Sequence, residues 1–240
     1  MRWTLGIGLL MSLATGSVVT PALVQQPSTG LVLERPSRAG AFLDIVGRRA
    51  AFVGYEHHGL EAWVYPLKLL DDLRFAFRIE GYPQEIAGED ALARVAARPE
   101  STTLTYSHAA FTARVTLVAP VDEAALLILV EADTTLPLGV TVSFRPRLGL
   151  MWPAGLQTGN IGWNASTRAY EITEESGRYA GLIGSPAASE GSLMPYQEEP
   201  RDVPVRLALG PAAVANGKTA LPPLGLFGRN QGRSRLKPDI

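Results

Sequence analysis

The most constraining feature of the sequence is a succession of short segments in which apolar and polar residues alternate. Between Leu73 and Ile79 every second residue is a leucine, phenylalanine or isoleucine, and the residues between them are arginine or alanine. Side chains of a strand point alternately to opposite faces, so this pattern predicts a strand with one buried face. The same alternation recurs in residues 101–106, 111–118 and 140–145.

Other segments extend the β pattern. Residues 124–130 are continuously apolar, which predicts a strand covered on both faces. Residues 41–46 and 51–54 are separated by a short glycine-containing connection, which predicts a hairpin. Residues 91–98 are rich in alanine and arginine, which favour a helix, but the flanking Gly88 and Pro99 favour a short strand, and we interpret the segment as a strand.

Composition agrees with this fold class. The 24 glycines and 18 prolines are spread through the chain without a period, which suits many turns between short strands. No helical pattern alternates with the strands, so a parallel α/β sheet is disfavoured. The sequence therefore predicts an all-β fold, namely a large antiparallel β-sandwich of the supersandwich-like type.

Four regions are expected along the chain. Residues 1–22 carry one positive charge, an apolar run and a small residue after Pro21, which is the layout of a secretory signal peptide. Residues 23–40 are rich in proline, glycine and polar side chains and are expected to be a flexible leader. Residues 41–210 are expected to form the sandwich. Residues 211–240 contain prolines, glycines and clustered basic residues and are expected to be a poorly ordered tail.

Charge and cysteine content exclude several kinds of function. The chain has 22 basic and 23 acidic residues, a net charge of −1, so no global field favours nucleic acid or an anionic membrane surface. It has no cysteine, which excludes disulfides, thiol nucleophiles and zinc–thiolate sites. With the signal peptide removed, we expect an exported chain, periplasmic or extracellular, that does not cross a membrane.

Several strings of residues together resemble one known family. They are EAWVYPLKLL at 61–70, RPESTT at 98–103, YSH at 106–108, APVDE at 119–123, MWPAGL at 151–156 and GSPAA at 184–188. This set resembles the N-terminal region of exported bacterial glycogen-debranching or amylo-α-1,6-glucosidase-like proteins, which are six-hairpin glycosidases. The resemblance covers about residues 41–210.

The resemblance implies that the sandwich and the catalytic site belong to two different domains. In that family a large N-terminal β-sandwich precedes an (α/α)6 barrel that carries the catalytic carboxylates. The chain printed here stops before such a barrel could begin, so the resemblance implies a non-catalytic sandwich that supports a missing barrel acting on α-glucan. It implies no cofactor. The end of the chain departs from the family, and a truncated or frame-altered terminus would explain that departure.

The densest titratable cluster is Glu56, His57, His58 and Glu61. Imidazoles and carboxylates can bind a divalent metal, but on a strand His57 and His58 would point to opposite faces. We therefore expect no metal, and we assign this cluster, together with Trp63 and Tyr65, to a domain interface. A metal-dependent enzyme centred on His57 and His58 is the weakest of the alternatives.

Aromatic side chains supply a second route to function. Trp152 and Trp163 flank a loop rich in glycine, proline and asparagine. An exposed ring there could stack on a sugar while Asn160 or Asn164 bonds its hydroxyl groups. The alternative function is therefore a stand-alone carbohydrate-binding module. Because large aromatic side chains dominate cores and interfaces, burial of both rings at the edge of the sandwich is the favoured interpretation.

No catalytic carboxylate pair is expected within the chain. Glycoside hydrolysis needs two carboxyl groups opposed across the sugar, about 5–5.5 Å or 6.5–9.5 Å apart. The acidic doublets at 71–72, 89–90, 174–175 and 198–199 are neighbours in sequence, and neighbours on a strand diverge. We interpret these doublets as surface charge.

Overall fold

The alternating segments form the strands of two antiparallel sheets. The computed structural model describes residues 30–150, 159–174, 178–186, 188–189, 205–209 and 218–230. The elements in chain order are β1 (Leu33–Pro36), β2 (Phe42–Val46), β3 (Ala50–Tyr55), β4 (Leu60–Val64), β5 (Leu67–Ile79), β6 (Ile86–Ala87), α1 (Gly88–Ala91), β7 (Leu92–Ala97), β8 (Ser101–His108), β9 (Phe111–Val118), β10 (Ala125–Thr134), β11 (Leu138–Leu150), β12 (Gly159–Asn164), β13 (Ala169–Glu174), β14 (Tyr179–Gly184), β15 (Ala188–Ser189), β16 (Val205–Leu209) and β17 (Lys218–Asn230).

Strand order follows the chain in most places and departs from it at a few crossovers. The nine-stranded sheet has the order β1-β7-β8-β9-β10-β17-β14-β13-β12. The eight-stranded sheet has the order β15-β16-β11-β5-β4-β3-β2, and β6 pairs with β5 beside this path. All the pairings between these strands are antiparallel.

The inner faces of the two sheets share one hydrophobic core. Along β9, and along β5 from Leu73 to Ile79, every second side chain is buried, as the alternation predicts. Phe77 of β5 lies with its ring centroid 5.0 Å from that of Tyr106 in β8 and 5.0 Å from that of Phe111 in β9. Aromatic side chains from both sheets therefore interlock, and the predicted all-β sandwich is confirmed. The described residues contain no helical barrel.

Two local predictions are also confirmed. Strands β2 and β3 form the expected hairpin, with Phe42 opposite Tyr55 and Val46 opposite Ala51. The ambiguous segment 91–98 contains β7, preceded by the four-residue helix α1. Pairing of β7 with β8 satisfies the backbone of a segment whose composition alone favours a helix, so tertiary context overrides propensity here.

The leader predicted at 23–40 is wrong from Leu33 onward. Strand β1 pairs with β7, and Ser37 continues the attachment through a backbone hydrogen bond to Ala93 at 2.9 Å. Arg35 bonds the buried carboxylate of Glu56. These partners are distant in sequence, so local composition could not reveal them. Residues 1–22, the predicted signal peptide, lie outside the described residues.

The poorly ordered tail predicted at 211–240 is wrong for residues 218–230. Strand β17 lies inside the nine-stranded sheet between β10 and β14. Its register against β10 shifts so that Pro222 and Pro223 fall opposite a single residue, Leu129. Proline is tolerated within a sheet at such a bulge, where a ladder hydrogen bond is already missing.

Within the described residues, no helix is both long and apolar enough to cross a membrane.

Candidate functional site

The outer face of the eight-stranded sheet carries most of the charged side chains that bond one another. Leu60, Ala62 and Val64 of β4 point into the core, so Glu61 and Trp63 point outward. The same alternation turns Lys68 and Arg74 of β5 outward, although bulges interrupt the ladder between them. Strand periodicity thus gathers these side chains on one surface.

Trp63 and its two charged neighbours form a compact cluster on this surface. The indole Nε1 of Trp63 donates a hydrogen bond to Oε2 of Glu61 at 2.8 Å. Lys68 Nζ bonds the other oxygen of Glu61 at 2.7 Å and lies 5.0 Å from the centroid of the Trp63 ring. The ammonium group therefore makes both an ion pair and a cation–π contact. Trp63 is half-buried rather than a core residue.

A chain of aspartate–arginine pairs continues from this cluster. Arg147 Nε lies 2.7 Å from Asp71, and Arg74 Nε lies 2.6 Å from Asp72. Arg74 also bonds Glu89 at 3.0 Å, and Arg145 lies 3.7 Å from Asp72. We call these residues, with Glu61 and Lys68, the charged face.

Local backbone irregularity explains why two adjacent aspartates both join the charged face. Asp72 has a left-handed backbone with φ of 52°, and the β5–β11 register shifts between Ser143 and Arg145. The acidic doublet at 71–72 is therefore part of an ion-pair network. One oxygen of Asp71, Oδ1, is buried and has no hydrogen-bond partner.

Exposed aromatic side chains lie on the same outer face toward its edge. Phe42 and Tyr55 are opposite one another on β2 and β3, 57% and 50% exposed, with an edge-to-face contact of 5.5 Å between ring centroids. Trp63 lies opposite Ala51 of β3. Ala51 is four residues from Tyr55, so positions 51 and 55 are about 13 Å apart along the strand. We call Phe42, Tyr55 and Trp63 the aromatic edge. Tyr65 is 37% exposed in the turn that follows Trp63.

The remaining members of the predicted interface cluster have different surroundings. The side chain of Glu56 is fully buried, where it accepts hydrogen bonds from Arg35 and from the backbone N–H of Arg38 at 2.6 Å. His57 is half-buried and bonds Ser37 and the backbone of Glu89, whereas His58 is exposed. Glu56 and His57 therefore attach the N-terminal strand to the sandwich.

A small, partly open pocket of about 30 Å³ lies beside Glu56 and His57 and has room for one or two water molecules. It is also lined by Arg74, Glu89 and Tyr106. Burial raises the pKa of Tyr106, and the negative charge of Glu89 raises it further. The phenol therefore stays protonated in the folded protein, and the space is too small for a sugar ring.

The predicted sugar-binding residues do not converge on one face of their strand. Trp163 pairs with Tyr170 and contacts its ring edge-to-face at 5.1 Å, on the core side of β12. Asn160 and Asn164 alternate with Trp163 and project to the opposite side. These three residues line an open depression at the sheet edge. Trp152 lies outside the described residues.

Asn164 uses its side chain to hold the β12–β13 turn. Its Oδ1 accepts hydrogen bonds from the backbone of Ser166 at 3.0 Å and of Thr167 at 3.3 Å, and its Nδ2 donates to Glu171 at 2.6 Å. Such local bonding is the usual reason for asparagine in a turn. Asn160 is exposed and faces the depression.

On the charged face, acidic and basic side chains lie beside one another in pairs. Its carboxylates are each paired with an arginine or lysine, so their negative charge is already matched. Over the part of the chain that the structure describes, no group of three or more histidine, aspartate or glutamate side chains could hold a metal ion. Alternation of arginine with apolar residues at 74–78 and 143–147 could have indicated this face from the sequence.

Comparison with known proteins shows a shared fold. No family model and no curated protein matches the sequence. A bacterial glucoamylase, solved in complex with acarbose, superposes with a TM-score of 0.52 at 7% identity, over 84% of this chain and 36% of that one. A putative aldose 1-epimerase from Escherichia coli K12 superposes with a TM-score of 0.51 at 14% identity, over 79% of this chain and 99% of that one. The chain therefore corresponds to about a third of the glucoamylase and to nearly all of the epimerase.

Proposed function

We propose that this chain is a non-catalytic β-sandwich domain of an exported, α-glucan-acting glycoside hydrolase of the debranching or glucosidase-like kind. In this proposal the sandwich supports an adjacent (α/α)6 catalytic domain and helps to shape its α-glucan site. It requires no cofactor, and it acts in the periplasm or outside the cell after its signal peptide has been removed.

The likeness to the glucoamylase carries the proposal. The match extends over most of this chain but only about a third of that protein, as expected if a sandwich corresponds to one domain of a larger enzyme. The matched charges of the charged face agree with this role, because its carboxylates already bond cations. A group that acts as a general acid must instead hold a proton to donate.

The aromatic edge and the charged face are the surface that we assign to the partner domain. Aromatic and arginine side chains are enriched in protein interfaces, and interfaces between domains of one chain are more polar than obligate ones. At least half of the surface of Phe42 and of Tyr55 is exposed, whereas most large apolar side chains of the same sheet are buried. Covering these rings would remove apolar surface from water.

Activity measurements with the full chain test the non-catalytic role. We expect no glucose release from α-1,4- or α-1,6-linked glucans, and no faster interconversion of glucose anomers by polarimetry. Turnover that is lost on Asp71→Asn or Glu61→Gln would overturn the proposal. Faster anomer interconversion would favour an epimerase, the activity named for the matched Escherichia coli protein.

Association with a separately expressed (α/α)6 domain encoded beside this chain tests the docking role. The double variant Phe42→Ser, Tyr55→Ser should weaken that association at least ten-fold, since truncating central aromatic residues removes much of an interface's binding energy. Phe227→Ser is the matched control, because Phe227 is 47% exposed on the outer face of the other sheet. Equal weakening by both variants would contradict the assignment.

A stand-alone carbohydrate-binding module is the second candidate. The aromatic edge favours it, because an exposed ring beside Glu61 and Asp44 could stack on a sugar and bond its hydroxyls. Retardation of the full chain in gels containing glycogen or pullulan tests this function. Retardation that Phe42→Ser, Tyr55→Ser abolishes, without any association with an (α/α)6 domain, would favour the module over the supporting domain.

A further inference from the structure

Strand β2 is one of the four described strands that end the two sheets, and it has the fewest features that block a further strand. Natural edge strands are protected by proline, short length, bulges or charge, and glycine weakens a strand. β1 contains Pro36, β12 contains Gly159 and Gly162, and β15 has only two residues. β2 has neither proline nor glycine, keeps an unbroken register with β3, and carries a single charged residue, Asp44. Another strand would therefore pair most readily with β2.

The hydrogen bonds at both ends of β2 show which of its backbone groups point away from β3. The carbonyl of Ala41 accepts from the N–H of Glu56 at 2.9 Å, and the N–H of Gly47 donates to the carbonyl of Ala50 at 2.8 Å. In an antiparallel ladder, residues that bond the neighbouring strand alternate with residues that do not. The odd-numbered residues of β2 therefore bond β3, and its even-numbered residues point their N–H and C=O groups out of the sheet edge.

The outward backbone groups belong to Phe42, Asp44 and Val46, and none of them bonds another described strand. Just beyond them, the N–H of Arg48 bonds the carbonyl of Val121 at 2.9 Å, so the open stretch ends there. An unpaired row of N–H and C=O groups is a template for another extended chain. β2 can therefore accept one more strand along three alternate residues.

The side chains of the same three residues turn to solvent on one face of the sheet. Phe42 and Val46 are 57% and 56% exposed, and Asp44 lies exposed between them. Among the residues that the structure describes, no basic side chain forms an ion pair with Asp44. An added strand places its own side chains directly beside these three, and cross-strand neighbours of matching chemistry stabilise the pairing. Two apolar side chains with a basic one between them would match this edge.

We propose that the edge of β2 binds an extended segment of a partner protein, in which a lysine or arginine lies between two apolar residues at alternate positions. Main-chain hydrogen bonds to Phe42, Asp44 and Val46 hold the segment, and the basic side chain opposite Asp44 selects its sequence. The inference goes beyond the proposed function and does not depend on it, because it concerns only this sheet edge.

A second copy of this chain is a poorer match for the same edge. Two β2 strands that pair antiparallel about a two-fold axis, with Phe42 opposite Val46, place Asp44 opposite its own copy. Like charges directly opposite one another destabilise a strand pair. A shift by two residues separates the aspartates but leaves only two of the three outward residues paired. Asp44 therefore favours a basic partner over self-association.

Titration of the full chain with the acetylated and amidated peptide Thr-Val-Thr-Arg-Thr-Val-Thr, followed by nuclear magnetic resonance of the backbone amides, tests the proposal. The two valines and the arginine of this peptide lie on one face of a strand. We expect hydrogen exchange to slow at the amides of Phe42, Asp44 and Val46, and to change less at Leu43 and Ile45, which already bond β3. The same peptide with glutamate in place of arginine should bind about five-fold more weakly, because like charges face one another across the strands.

Charge reversal and removal of one N–H separate the proposal from non-specific binding. Asp44→Lys should reverse the preference, so that the glutamate peptide binds about five-fold more tightly than the arginine peptide. A misfolded variant would lose binding of both peptides and could not reverse their order. Val46→Pro removes one outward N–H without breaking the ladder to β3, so it should weaken binding of the arginine peptide. Val46→Thr is the matched control, because it keeps the N–H and the branched shape, and it should retain binding.

Several results would overturn this assignment of the β2 edge. They include no binding of the arginine peptide at millimolar concentration, equal binding of both peptides, and a preference that Asp44→Lys leaves unchanged. Binding that Val46→Pro and Val46→Thr weaken equally would show that the edge N–H is not used. Sedimentation of the full chain without peptide supplies the remaining test: a concentration-dependent dimer that Val46→Pro abolishes would show that a second copy occupies the edge, contrary to the proposal.

Discussion

Replacing Arg35 with methionine should destabilise the protein more than changing its partner. The substitution keeps the aliphatic stem and removes the guanidinium group that bonds both oxygens of Glu56. The Glu56 side chain is fully buried, so its carboxylate would keep only the backbone N–H of Arg38 as a donor. Leaving a buried charge without its partner costs about 3–5 kcal/mol. Because Arg35 is 27% exposed and water can approach, we expect about 2–3 kcal/mol.

Replacing Glu56 should lower the free energy of unfolding less than replacing Arg35, because it leaves no unpaired charge buried. In Glu56→Gln the charge of the buried group disappears, and Arg35 can turn toward solvent. The buried group is then neutral, so we expect a loss of about 0.5–1.5 kcal/mol, the net contribution of a typical hydrogen bond. In Arg35→Met, Glu56→Gln the penalty for an unpaired buried charge is absent, so the double variant should be more stable than the sum of the single changes predicts.

Urea unfolding at pH 7, followed by far-ultraviolet circular dichroism and tryptophan fluorescence, measures these differences. A loss of 2–3 kcal/mol corresponds to about a 30- to 150-fold change in the unfolding equilibrium. Arg94→Met is a suitable control, because Arg94 also pairs with an acid across β1 and β7 but both side chains are about half exposed. If Arg35→Met costs under about 0.5 kcal/mol, or no more than Arg94→Met, the account of Glu56 is refuted.

Three further perturbations test the core, the C-terminal strand and a buried phenol. Phe77→Ala should cost about 3–5 kcal/mol in urea unfolding, whereas Phe42→Ala, on the surface, should cost under about 1 kcal/mol; equal losses would contradict the placement of the core. Leu226→Asp should abolish cooperative unfolding, because that side chain of β17 is fully buried, while Phe227→Asp should not. Because the pKa of Tyr106 is raised, the unfolded chain loses its proton first, and the free energy of unfolding should fall above about pH 10. Tyr106→Phe should lessen this alkaline fall, and an unchanged pH profile would contradict the burial of the phenol.

The sequence shows the β class clearly because strand periodicity is local. Alternation at 73–79 and at 111–118 needs only the side chains of one segment, and the structure buries the expected faces of both. The alternation misleads at residues 63–69, where the period of two taken alone predicts Trp63 and Leu67 on the same side of a single strand. A turn at 65–66 ends β4 and begins β5, so Leu67 is buried while Trp63 points outward.

The boundaries predicted for the sandwich, residues 41 and 210, are both too narrow, and for the same reason. Residues 33–36 and 218–230 contain proline, glycine and basic residues, which by composition favour loops. Their order comes from partners far away in the sequence: β7 and Glu56 for the first segment, β10 and β14 for the second. A bulge places the two prolines of β17 where the ladder is already interrupted. Composition alone contains no information about such partners.

The same distinction applies to the candidate site: the sequence determines some of its features, and the tertiary structure determines the others. The sequence alone determined the class of fold, the absence of cysteine chemistry and the residue types present in each strand. Only the tertiary structure decided that Glu56 is buried against Arg35, that Trp163 and Asn164 face opposite sides of β12, and that the two aspartates at 71–72 join an arginine network. Strand periodicity depends on neighbours in the chain. Burial and charge pairing depend on which strands the sheets bring together, and antiparallel ladders bring together segments separated by many tens of residues.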